Sequence, residues 1–124
     1  MHLETEYFVS ELSDDIIFVQ YKPNIHIRLE DAQRIVSERQ KFYGNIQVPV
    51  LIKNARIKGI DKPAREYLFS KERGLKDIKA IAIVCSNVVS KLLITFIFHH
   101  HRPAIPHKMF TEEAKAISWL KQYV

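Results

Sequence analysis

With 124 residues and a net charge of +5, the chain is sized for one domain around one core, and 47% hydrophobic against 27% charged residues is a globular balance. Three glycines and five prolines exclude a long linker, a low-complexity tail and a glycine-built phosphate cradle. One cysteine excludes an internal disulfide, and the longest apolar stretch, Leu92–Phe98, falls far short of the roughly 18 residues of a membrane span. The start, Met1 to Glu6, is acidic and lacks the basic-then-apolar order of a signal peptide, so a cytoplasmic, reducing location is expected.

Tyr7-Phe8-Val9 opens a β-like run that ends near Leu12. Ser13-Asp14-Asp15 has turn composition, and Ile16 to Tyr21 is a second run rich in β-branched and aromatic residues, which together predict a hairpin. Pro23-Asn24 breaks the chain before a short alternating extension, Ile25-His26-Ile27. A helix is predicted over Leu29–Tyr43. Ala32, Ile35 and Val36 recur at helical spacing, Phe42 and Tyr43 continue that face, Glu30 and Asp31 suit the first turn, and Gly44 suits the end.

Val48 to Ile52 is apolar throughout, as in a strand covered on both faces. A loop is expected from Asn54 to Ile60. The next helix starts at Asp61-Lys62-Pro63, with Asp61 as its cap, Ala64, Tyr67 and Leu68 facing inward, and Gly74 beyond its end. Ile78 to Cys85 is the central strand. Leu92–Phe98 has strand propensity, but Ser86 and Asn87 are N-cap residues and a parallel crossover needs a helix, so the 88–98 segment is predicted helical. Such a helix is apolar nearly all round; it is deeply buried or it offers an apolar surface. His107–Phe110 reads as a short strand. Thr111 is expected to cap the last helix, with Glu112 and Glu113 in its first turn and Ala116, Trp119, Leu120 and Tyr123 on its packed face.

No catalytic constellation emerges. His99, His100 and His101 are consecutive and point apart, His107 follows with no acid between, and a metal site needs converging ligands; a favourable helix-end placement explains the triplet. Cys85 reads as a buried structural thiol. Asp14-Asp15, Glu30-Asp31 and Glu112-Glu113 all fit turns or first turns. Lys53, Arg56, Lys58, Lys62 and Arg65 form the densest basic window, which Asp61 interrupts; a solvated face is expected, without nucleic acid as a partner.

With these elements in order, the chain resembles the STAS-like (SpoIIAA-like) superfamily, which includes anti-sigma-factor antagonists and the cytoplasmic domains of sulfate transporters. The resemblance, to the uncharacterised stand-alone branch of that superfamily, rests on Phe110 followed by Ala116, Trp119 and Leu120 of the closing helix, and Ile57 to Ala64 match the segment where the second helix starts. It implies a single α/β domain over 1–124, with a mixed central sheet, an N-terminal β-hairpin and about four helices. Antagonists carry an Asp and then a phosphorylatable Ser at the start of that second helix. Here Asp61 matches, but Lys62 stands at the Ser position and Pro63 follows, so the phospho-switch does not carry over.

The expectation is a non-enzymatic regulatory or protein-interaction module, forming a homodimer or binding another protein, with no cofactor and no metal. Its candidate surface is Asp61, Lys62, Arg65, Lys91, Phe96 and Arg102. The alternative is a carrier or sensor of a small apolar or lipid-like ligand, because Leu92, Leu93, Phe96, Ile97 and Phe98 exceed what one buried face requires, and Lys91 or Arg102 would meet an anionic head. An enzyme would rest only on Cys85 and the histidines.

Overall fold

Asp14 and Asp15 both adopt left-handed backbone, with φ of 51° and 63°, and close a two-residue turn whose twist suits the strands on either side. In this computed structural model, which describes residues 1–53 and 56–124, that turn joins the second and third strands. The elements in chain order are β1 (His2–Glu4), β2 (Phe8–Ser13), β3 (Ile16–Tyr21), β4 (His26–Ile27), α1 (Leu29–Tyr43), β5 (Val48–Lys53), β6 (Gly59–Ile60), α2 (Lys62–Leu68), β7 (Ile78–Val84), α3 (Val88–His100), β8 (His107–Phe110) and α4 (Glu113–Leu120), closed by a 3₁₀ turn at Lys121–Tyr123.

The main sheet has the order β1-β2-β3-β5-β7-β8. Its first three strands are antiparallel, and β3, β5, β7 and β8 run parallel. β5 and β7 are apolar in nearly every position because both of their faces are covered. Pro49 is the second residue of β5, fully buried. Proline cannot donate to a ladder, and the register against β7 slips at that point, from Val48 opposite Ile78 to Val50 opposite Ile81.

Side chains alternate between the two faces. Ile17, Val19, Val50, Ile81 and Ile83 face α1, α2 and α3. Ile16, Leu51, Ala80, Ala82 and Val84 face α4, through Ala116 and Leu120. α1 matches its predicted bounds and buries Ala32, Ile35, Val36 and Tyr43; Phe42, about 100° round the helix from Tyr43, is part exposed. Gly44 follows with φ 68°.

Four details differ from the sequence expectations. β1 adds an edge strand, held by pairing with β2. Of the loop expected over Asn54–Ile60, Asn54 and Ala55 lie outside the described residues, and Gly59–Ile60 pairs in parallel with β4. Asp61 occupies the N-cap position of α2, but its carboxylate does not bond the first turn, because it turns to His26 instead. Thr111 is not the cap of α4. Phe110 is still tied to the sheet by the Cys85 N–H at 2.9 Å, so the chain needs a further residue to turn, and Glu112 takes the N-cap position.

Candidate functional site

The start of α2 is placed by the short β4–β6 ladder. It sets His26 beside Asp61, with His26 Nε2 2.5 Å from Asp61 Oδ1. Arg65, one turn later, donates from Nη1 to the Ile60 carbonyl at 2.6 Å and from Nε to His101 Nδ1 at 3.4 Å. Arg65 thus ties the first turn of α2 to the last residues of α3. Both Asp61 and Arg65 have internal partners, whereas Lys62 is exposed.

α3 begins at a true side-chain cap, with Asn87 Oδ1 accepting from the Ser90 N–H at 3.1 Å. Only Ile94 and Ile97 of this helix are buried. Val88, Val89, Leu92 and Phe96 are 70%, 75%, 68% and 52% exposed. Their spacing sets them along one outward stripe, and it is continued by His100, whose ring centroid lies 4.4 Å from that of Phe96. Lys91 is half-buried beside the stripe, and Arg102 is exposed just beyond it. Of the six residues predicted for the surface, Arg65, Lys91, Phe96 and Arg102 thus lie on α3 or are tied to its end, while Asp61 and Lys62 stand at the start of α2.

The histidines disperse. His99 and His100 rings are mutually perpendicular, His101 meets Arg65, and His107 Nδ1 donates to the Ile105 carbonyl at 2.9 Å. No group of three His, Cys, Asp or Glu side chains suited to a metal ion occurs among the described residues. Cys85 is buried, its thiol directed at the Asn87 carbonyl 3.7 Å away.

Beneath α3, between it, α1, α2 and the sheet, lies a cavity of about 120 Å³. Ile35, Val50, Ile81, Ile83, Ile94 and Ile97 supply much of its wall. Its polar side chains are Ser10, Tyr43, Tyr21 and Arg39. Ser10 Oγ and the Tyr43 hydroxyl satisfy each other at 2.7 Å. Burial raises the Tyr43 phenol, against the lowering effect of that bond. Burial also raises the Tyr21 phenol, which the Arg39 charge pulls back down. Arg39 donates from Nη1 to the Gly74 carbonyl at 2.8 Å and from Nη2 to the Lys76 carbonyl at 3.2 Å. Burial pushes its guanidinium down from the ordinary value, with Tyr21 and Asp77 opposing.

Arg39 escapes a reading by residue type, since a lone arginine in a helix looks solvated. Its position carries the signal: four residues after Ile35 and three after Val36, it lies on the inward face of α1. No helix among the described residues is long and apolar enough to cross a membrane.

Among solved structures, the chain is similar to an uncharacterized DUF3478-family protein with a SpoIIAA-like fold from Shewanella loihica PV-4, at TM-score 0.60 and 19% identity over 91% of each chain. That likeness gives the fold, which is SpoIIAA-like, as the closing helix and the Asp61 segment led one to expect. A second structure, a protein of unknown function from Arthrobacter sp. FB24, has 25% identity over 97% of each chain and a TM-score of 0.35. No curated protein matches the chain. Residues 10–124 match the family described as Domain of unknown function (DUF7793), and the chain belongs to that family.

Proposed function

We propose that the chain is a non-catalytic interaction module that seats an acidic, amphipathic segment of a partner protein on the outward face of α3. The observation that carries this reading is the exposed stripe of Val88, Val89, Leu92 and Phe96, more apolar surface than one helix leaves open without a use. Charge supplies the chemistry of the partner. From Ser86 to Thr111 the chain contains no Asp or Glu, while Lys91, Arg102 and Lys108 are cationic. Two copies facing each other through α3 would bring like charges together; an acidic partner would be steered in. Arg65, tied to His101, and Arg102 stand at the C-terminal end of α3, and Asp61 and Lys62 stand at the start of α2. The absence of a Ser after Asp61 leaves this surface without the antagonists' phosphate switch.

A photo-crosslinking residue placed at Leu92, compared with one at Lys115 on α4, tests the reading in the native host. The expected result is an adduct with an acidic protein segment from position 92 alone, lost in high salt. Adducts at 92 with a second copy, with lipid or with nothing would overturn it.

A further inference from the structure

We propose that the cavity beneath α3 binds a small apolar carboxylate, its hydrocarbon body against Ile35, Ile81 and Ile94 and its anion on Arg39. This site is separate from the outward face of α3 and does not depend on the partner reading.

Three observations lead there. First, the cavity holds about 120 Å³ walled by branched aliphatic side chains. An apolar void of about 150 Å³ stays dry and takes up benzene, so this one suits a body of about six carbons. Second, its one cation, Arg39, forms no ion pair among the described residues. Two of its N–H groups go to the Gly74 and Lys76 carbonyls, and Asp77 attracts it only at longer range. A guanidinium has five N–H donors in a planar fork, so donors remain for a carboxylate. Third, Tyr21 lines the same space, and its phenol is buried and feels the Arg39 charge. A phenol held in its protonated form by burial is a hydrogen-bond donor to an anion. Ser10 and Tyr43, by contrast, already satisfy each other. The wall therefore combines one apolar compartment with one uncompensated cation, the arrangement that recognises an amphiphilic acid.

Phenylacetate, its neutral isostere phenylacetamide and toluene serve as probes, read by isoleucine methyl NMR on the intact chain. Phenylacetate is expected to shift the Ile81 and Ile94 methyls and to bind at least about tenfold more tightly than phenylacetamide. In Arg39→Met the preference for the acid should vanish while the amide and toluene still bind. Ile94→Phe, which fills the void, should abolish all three. Should Arg39→Met fail to fold, the acid-against-amide ratio in the unaltered chain decides alone. Equal binding of acid and amide, or shifts confined to surface methyls, would overturn the proposal.

Discussion

The two faces of the central sheet are packed by different rules. Against α4, the sheet offers Ala80, Ala82 and Leu51, and the helix answers with Ala116 and Leu120, all fully buried. Small residues let the helix backbone come close, and none of these five side chains is open to solvent. Against α1, α2 and α3, the sheet offers Ile17, Val19, Val50, Ile81 and Ile83. Branched side chains hold those helices away, α3 reaches down chiefly through Ile94 and Ile97, and the cavity results. One face is built to hold the chain together; the other has room, polar groups and an apolar exterior. Spare volume next to unspent charge is where a small domain can do something besides fold.

The largest effect should come from the tight face. Leu120→Ala removes a fully buried side chain where little can collapse, and urea unfolding should show a loss of about 2–5 kcal/mol. Added volume separates the faces next. Ala82→Val should cost about 1–3 kcal/mol, whereas Ile94→Phe, with empty space before it, should cost less than about 1.5 kcal/mol. Equal penalties in the same unfolding series would erase the distinction. Ser10→Ala leaves the Tyr43 hydroxyl without its partner and should cost about 1–3 kcal/mol, less where water enters the cavity. On the exposed stripe, Leu92→Asp and Phe96→Asp should each change stability by no more than about 0.5 kcal/mol.

The smallest effect near neutrality is one of pH. Tyr7, Tyr21 and Tyr43 all pack on the α1 side, and burial is the first cause raising each phenol, with the Tyr7 hydroxyl also donating to Asp31 at 2.8 Å. A phenol with a raised folded value contributes stability that is complete below its ordinary value of 10.0 and is lost as pH climbs past it. Stability should therefore fall above about pH 10, and Tyr7→Phe should flatten that limb in a pH-dependent unfolding series.

What could be read from the sequence follows the same division. α1, β5, β7 and the hairpin declare themselves because their patterns are local: helical periodicity in Ala32, Ile35 and Val36, an unbroken apolar run in β7, a paired Asp turn. The β4–β6 ladder does not, since two-residue strands are made by their partners and not by propensity. α3 could be recognised as a helix, but a segment apolar on all sides carries no mark of which side faces water. The cavity was illegible for a related reason. Voids arise from how far apart branched side chains hold two elements, and that distance is written in no single stretch of residues. Asp61 was legible as a helix start, yet its bond to His26 depends on a neighbour 35 positions away.

The margins of the sheet carry a consequence for behaviour in concentrated solution. β1 offers three residues, with Glu4 paired to Lys22, and β8 offers four, preceded by Pro106 and bearing the exposed Lys108. Short borders with charges and a proline are poor templates for strand addition. Fibrous growth through the backbone is thereby discouraged at both ends of the ladder, and crowding should drive this chain together through side chains instead.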